Sequence, residues 1–147
     1  MDTWGRLTLL DSRESRHHEV VGYYRDFRFQ QGLAYTSDYV LDETLTLLFR
    51  RLPFTKARES LESINQAIAE RYLTLLRITP EQFDLAIQLR LKFQDKPRIS
   101  FTDFTSMVLM RDRAVAHILT EDDHFTQVGM AFQRVPYTVN NLTQLMR

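Results

Sequence analysis

Short apolar runs alternate along this chain with longer segments whose apolar residues recur at helical spacing, and this alternation restricts the fold more than any other feature. Strand-like runs lie at residues 32–36, 72–78, 114–119 and 132–135. Helical patterns lie between them, at residues 15–29, 39–51 and 55–71 and after positions 79 and 99. Strands separated by helices form a parallel sheet that helices cover on both faces. We therefore predict an α/β fold.

Two helix starts are marked by capping residues. Ser37 and Asp38 precede the helix expected at 39–51, and both residue types cap helices well. Thr79 precedes Pro80, which suits the first helical position, and Gln82 stands where a capping box needs it. Each cap follows a strand-like run closely, which favours tight strand-to-helix connections.

Size and composition limit the possible functions. The chain has 147 residues, which predicts a single domain over residues 1–147, and the tail after about residue 136 shows no clear pattern. Nineteen basic residues balance nineteen acidic ones, so any polyanion must be bound by a local patch. The absence of cysteine excludes disulfides, thiolate nucleophiles and cysteine-based zinc sites. No apolar run has the length of a membrane span, and we expect a cytoplasmic protein.

Four carboxylates occupy comparable positions at strand ends or in first helical turns: Asp2, Glu43, Asp103 and Asp122. Right-handed crossovers place the strand ends of a parallel sheet along one edge, where sites in such folds are built. Each acid alone has a structural explanation, at a helix amino terminus or in a turn. Together they would repel one another unless a cation neutralised them or a proton was retained. Hard oxygen ligands favour Mg²⁺ or Mn²⁺, and such ions hydrolyse phosphodiesters.

The motifs around these acids resemble those of PIN-domain ribonucleases, and in particular the VapC-type toxins of prokaryotic toxin–antitoxin pairs. The matching stretches are Asp2-Thr3, Glu43 within 39–48, Asp103 within 100–103, and Thr120-x-Asp122-x-His124-Phe125, with Asp11 and His17-His18 also in place. The resemblance covers about residues 1–135. It implies an α/β/α sandwich with a parallel sheet of about five strands. It also implies Mg²⁺- or Mn²⁺-dependent endoribonuclease activity and restraint by an antitoxin protein.

The resemblance also assigns roles to individual residues. Asp2, Glu43, Asp103 and Asp122 would be the metal-site acids. Thr120 would orient a carboxylate or a water from the second layer of the site, and Thr3 can do the same beside Asp2. Asp123 is either a neighbour of the metal or a solvated turn residue, and we favour the turn. His124 is expected to hold the loop by packing or hydrogen bonding.

The amino terminus departs from the family pattern. Several apolar residues precede the first acid in family members and form the central strand, whereas only Met1 precedes Asp2 here. Either the start is truncated or the first strand is very short. A third interpretation takes residues 7–10 as the strand and Asp11 as the first acid.

Several other residues leave alternatives open. A small basic patch can meet RNA or be an ordinary solvated helix end; its members are Arg50, Arg51, Lys56 and Arg58. Trp4 can stack a base or pack near the site. The aromatic residues of the 15–29 segment exceed one buried stripe and can serve a homodimer or an antitoxin peptide; they are Tyr23, Tyr24, Phe27 and Phe29.

Two functions compete with an RNA-cleaving enzyme. A displaced Asp2 would leave a catalytically weak module that binds RNA or a protein partner. The same four acids would also serve a nuclease that cleaves DNA.

Overall fold

The computed structural model describes residues 1–136, which form six α-helices, four strands and one 3₁₀ turn. The order along the chain is α1 (Thr3–Leu10), α2 (His17–Phe29), β1 (Tyr35–Ser37), α3 (Asp38–Arg51), α4 (Phe54–Ala69), β2 (Thr74–Leu76), α5 (Pro80–Lys92), α6 (Phe101–Asp112), β3 (His117–Leu119), the 3₁₀ turn (His124–Thr126) and β4 (Gln133–Val135). The tail after residue 136, left without a prediction, lies outside the described residues. None of the described helices combines the length and the apolar sequence that crossing a membrane requires.

Helix starts follow the capping chemistry of the sequence. The Ser37 hydroxyl accepts a hydrogen bond from the Val40 amide at the start of α3. Thr79 and Gln82 form a complete capping box at the start of α5. The sequence predictions for both helix starts are therefore confirmed, and both helices begin within a few residues of a strand.

The strands form two parallel pairs. β1 pairs with β2, with Tyr35 opposite Thr74, and β3 pairs with β4, with His117 opposite Gln133. Helices connect the strands of each pair or follow them, so the α/β class is confirmed. The continuous sheet of about five strands is not established, because residues 1–136 contain four three-residue strands in two separate pairs.

The first two residues bridge the two pairs. The amino group of Met1 donates a hydrogen bond to the Tyr35 carbonyl at 3.1 Å, and the Asp2 amide donates to the Leu119 carbonyl at 3.3 Å. These residues thus lie between β1 and β3 and contact both strand pairs without forming a strand. A largely apolar groove remains beside them, between the inner edges of β1 and β3.

The alternative register of the amino terminus is wrong. Residues 7–10 lie within α1, and Asp11 is the residue that ends this helix. The Asp11 carboxylate is held by the Arg13 guanidinium at 2.8 and 2.9 Å. These hydrogen bonds lower the pKa of Asp11 to about 2. Asp11 therefore belongs to a local ion pair, and Asp2 is the acid at the strand edge.

Helix α6 is the most deeply buried element and carries one of the candidate acids. Eight consecutive residues from Asp103 to Met110 are buried, and Phe104 and Met107 are fully enclosed. They pack with α5, β3 and the 3₁₀ turn in the larger apolar cluster. Such packing fixes the position of Asp103, since any shift of α6 would open cavities in the core.

Gly5 gives the first testable prediction. A Cβ added at Gly5 would lie 2.6 Å from the Leu119 carbonyl oxygen and 2.9 Å from its Cγ. We expect Gly5→Ala to lower the free energy of unfolding by about 1–3 kcal/mol, because α1 must move away from β3. Urea denaturation measures this change.

Gly22→Ala is the matched control for Gly5. Gly22 also lies within a helix, and an added Cβ there would meet nothing within 4 Å. Alanine at this position should stabilise the protein by about 0.5–1 kcal/mol, because glycine is unfavourable inside helices. Equal effects of the two substitutions would contradict the close packing of α1 on β3.

Candidate metal centre

The four acids singled out in the sequence come from four different elements. Asp2 caps α1, Glu43 lies in the second turn of α3, Asp103 lies in the first turn of α6, and Asp122 follows β3 in a loop. Each element begins or ends at the same edge of the strand pairs, as parallel strands with helical connections require.

Asp2 is buried and held in place by hydrogen bonds. Asp2 is only 4% exposed, and its Oδ1 accepts a hydrogen bond from the Gly5 amide at 2.9 Å. Burial raises the pKa of Asp2 to about 7, against the opposing effect of hydrogen bonds from Thr120 and Gly5. The charge of Asp103 adds to the rise in the pKa of Asp2. Asp2 is therefore not displaced, although displacement was the reason for considering a catalytically weak module.

Asp103, Asp122 and His124 form a compact group. One ligand atom from each residue lies within 4.8 Å of the others. Nδ1 of His124 is 3.1 Å from Oδ2 of Asp103 and 4.0 Å from Oδ2 of Asp122. Asp103 is buried, whereas half of the Asp122 side chain is exposed. This group can accept a cation that approaches from solvent on the Asp122 side.

Glu43 joins the site through Thr3 and through its charge. The Thr3 hydroxyl donates a hydrogen bond of 2.6 Å to Oε2 of Glu43, which links the start of α1 to α3. The negative charge of Glu43 also raises the pKa of Asp103. The sequence placed Thr3 beside Asp2 as an orienting hydroxyl; its partner in the structure is Glu43.

The carboxylates act on one another electrostatically. Burial raises the pKa of Asp103, and the charges of Asp122 and Glu43 raise it further, while the hydrogen bond from His124 opposes them. The negative charge of Asp103 in turn raises the pKa of Asp2. Negative charge is therefore costly at the two buried acids, Asp2 and Asp103, and a divalent cation beside Asp103 would relieve that cost. Asp2 and Glu43 lie outside the compact group of Asp103, Asp122 and His124.

Thr120 ties two of the acids together. Its buried hydroxyl accepts a hydrogen bond from the Asp122 amide at 3.0 Å and also interacts with the Asp2 side chain. Thr120 is anchored through its own amide, which donates to the Val135 carbonyl of β4. Its contacts are those of a residue that positions carboxylates.

The two residues after Asp122 differ in their surroundings: Asp123 is exposed, whereas His124 is partly buried beside Asp103. Asp123 is exposed and precedes the 3₁₀ turn, where its carbonyl accepts from Thr126. This is the turn position expected for it. His124 holds the loop through its hydrogen bond to Asp103, as expected, but its ring also places a nitrogen among the acids. The spacing Asp122-x-His124 was the available signal for that second feature.

The other candidates from the sequence lie in ordinary surroundings. Three members of the basic patch pair with carboxylates at the surface: Arg51 with Glu14, Lys56 with Glu59, and Arg58 with Glu62. Such pairing favours the solvated helix end. Trp4 packs beside Val20, Leu119 and Val135, with the Arg16 guanidinium 5.2 Å from its ring centre.

The donor set fits a hard divalent cation. Carboxylate oxygens dominate it, the single nitrogen comes from His124, and the chain has no cysteine. Oxygen-rich sets of this kind suit Mg²⁺ and Mn²⁺ better than Zn²⁺. The centre can therefore bind and orient a phosphate ester through a cation without a protein nucleophile.

Comparisons with known proteins match most of the chain. The family model described as PIN domain matches residues 7–130. No curated protein matches the sequence. Among solved structures, the chain is similar to VapC20 of Mycobacterium tuberculosis, a Sarcin-Ricin loop cleaving toxin. The identity is 25%, the TM-score is 0.70, and the match covers 87% of this chain and 92% of that one.

Proposed function

The chain belongs to the PIN-domain family, and on this basis we propose that it is a metal-dependent endoribonuclease that hydrolyses RNA phosphodiester bonds, of the VapC toxin type. The main support is the compact group of Asp103, Asp122 and His124, to which Glu43 and Asp2 are linked through the effects of charge at Asp103. A structural cluster would have little reason to keep four acids together when His124 and the amino group of Met1 are the basic groups that act on them within residues 1–136. Similarity to VapC20 supports RNA as the substrate.

Asp2, Glu43, Asp103 and Asp122 hold the cation, which we take to be Mg²⁺ or Mn²⁺. When bound, this ion neutralises charge on the phosphate and lowers the pKa of an attacking water. The buried acids Asp2 and Asp103 provide fixed ligands, because helices α1 and α6 are packed around them. Asp122, more exposed, lies on the side from which substrate arrives.

Two threonines position the acids. Thr120 keeps Asp2 and the Asp122 loop at a constant separation, and Thr3 orients Glu43 through its hydroxyl. Orienting contacts of this kind commonly affect metal affinity about 10- to 100-fold. Thr120 thus serves catalysis without contacting the reacting atoms.

The biological setting follows from the same family assignment. We infer a single catalytic domain over residues 1–147, an antitoxin partner and an RNA substrate, which places the protein in the cytoplasm. Large apolar side chains are exposed at Phe29 and Leu33, with 89% and 70% of their surface accessible. Such side chains support a homodimer or an antitoxin contact. Met1 and Asp2 lie between the two strand pairs, which supports the proposal that the pairs belong to one five-stranded sheet of the family's kind.

Cleavage of labelled RNA with and without divalent cations tests the proposed function. We expect cleavage of an RNA hairpin in Mg²⁺ or Mn²⁺, none in EDTA, and little cleavage of the DNA hairpin of the same sequence. Cleavage that persists in EDTA would contradict the proposal. Binding of RNA without cleavage, together with no saturable Mn²⁺ binding in calorimetry, would assign the chain to a binding module instead.

A further inference from the structure

A polar cleft opens directly beside the metal centre. One wall is the loop between α5 and α6, residues 95–99, and the other contains Asp123, His124 and Gln127. His124 belongs to both places, because it lines the cleft and lies 3.1 Å from Asp103. A ligand bound in the cleft would therefore contact His124, whose ring is hydrogen-bonded to the Asp103 carboxylate.

The loop that forms the first wall is held rigidly by Arg90. Its guanidinium donates to the carbonyls of Phe93, Lys96 and Ile99 and lies 4.8 Å from the centre of the Phe104 ring. Three carbonyl contacts from one side chain fix the path of the loop between the two helices. The side chains on this loop are consequently presented in a constant direction, as a binding site requires.

The two cations on this loop differ in their partners. Lys96 pairs with Asp95 at 2.7 Å and lies near the Phe93 ring. Arg98 is exposed and, within residues 1–136, makes no hydrogen bond or ion pair. The basic residues first singled out in the sequence are mostly paired with neighbouring acids. Arg98 has no such partner among the described residues, and it lines the same cleft as His124, together with Asp95 and Asp123.

We propose that Arg98 binds a backbone phosphate of the RNA next to the one being cleaved, so that the cleft guides the strand into the metal centre. This inference rests on the proposed function. An RNA strand approaching the centre is repelled by the acids and needs a cation outside them to hold it. The planar guanidinium of arginine binds phosphate through two hydrogen bonds, which suits it to this position.

Fluorescence anisotropy with labelled RNA tests the proposal, in an Asp103→Asn background so that the RNA stays intact. We expect Arg98→Ala to weaken binding about tenfold and to reduce the salt dependence by about 0.7 in log–log slope, the loss of one phosphate contact to a single strand. Arg98→Lys should restore part of the affinity. In the cleaving enzyme, Arg98→Ala should raise KM and change kcat little.

Arg58→Ala is the matched control, because it removes the same charge from an exposed, ion-paired position on α4 outside the cleft. Its binding should stay within twofold of the parent. Equal affinity and equal salt slope for Arg98→Ala and Arg58→Ala would overturn the inference and leave the nuclease proposal intact. Conversely, a parent protein that cleaves no RNA would remove the proposed function, while the binding measurement would still decide the role of Arg98.

Discussion

RNA cleavage by the Asp103→Asn variant is expected to be about 100- to 1,000-fold slower than by the unmodified protein, at unchanged thermal stability or above it. Asp103 is the acid coupled to all the others: its pKa is raised by burial and by the charges of Asp122 and Glu43, and it raises that of Asp2. Asparagine keeps the shape of the side chain but removes the charge that a cation needs. Single-turnover cleavage at saturating Mn²⁺ measures the effect.

Asp123→Asn is the control for Asp103→Asn. Asp123 is also acidic and adjacent to Asp122 in sequence, but its side chain is exposed at a turn. We expect this variant to retain at least about half of the activity, because Asp123, although it lines the cleft, is not among the residues whose ligand atoms lie together at the metal centre. A variant at Asp103 that cleaves as fast as one at Asp123 would exclude a catalytic metal at Asp103.

Asp2→Asn should change activity and metal-free stability in opposite directions. Burial raises the pKa of Asp2 from 3.8 to about 7, so the fold binds a proton that the unfolded chain has already released. The contribution of Asp2 to the stability of the metal-free fold is therefore present at low pH and is lost as pH rises from about 4 to about 7. Asparagine still caps α1 and carries no charge to bury. We expect a higher Tm than the unmodified protein in EDTA at pH 8.

The Tm of the Asp2→Asn variant should depend only weakly on Mn²⁺. Mn²⁺ should raise the Tm of the unmodified protein at pH 8, because it binds the fold and not the unfolded chain. Asp2→Asn should show a smaller rise and about 100-fold slower RNA cleavage. Thermal unfolding in EDTA and in Mn²⁺, at pH 5 and pH 8, provides the comparison.

Asp11→Asn should change the Tm in EDTA in the opposite direction to Asp2→Asn. Hydrogen bonds from Arg13 lower the pKa of Asp11 to about 2, so its ionised form is favoured in the fold. Removing that charge should lower the Tm in EDTA and in Mn²⁺ alike and leave cleavage unchanged. If Asp2→Asn behaved like Asp11→Asn, Asp2 would be a structural acid.

The parts of the fold that the sequence predicted are those with strong local signals. The Thr79 capping box and the Ser37 cap depend on residues within one helical turn, so the local sequence is enough to predict them. The alternation of apolar runs and helical patterns likewise indicated parallel pairing. Helix α1 went unpredicted because Gly5 and Thr8 are poor helix formers, and its stability comes from packing on α2 and α3 and from the close approach of Gly5 to Leu119.

Long-range features were harder to anticipate. The acids could be grouped because strand ends share an edge, but the link from Thr3 to Glu43 spans 40 positions and has no sequence signal. The exposed charge of Arg98 depends on the loop that Arg90 holds, which only the folded chain reveals. The division of the strands into two pairs, with Met1 and Asp2 bonded to one pair each, likewise has no local sequence signal.

The central claim is that carboxylates from four elements form one divalent-cation site. Crystals soaked in Mn²⁺ and measured for anomalous scattering test it most directly. We predict a single strong peak within about 2.0–2.4 Å of oxygens from both Asp103 and Asp122, in contact with Asp2 or Glu43 directly or through water. Saturating Mn²⁺ with no peak at this position, or with a peak that touches neither Asp103 nor Asp122, would contradict it.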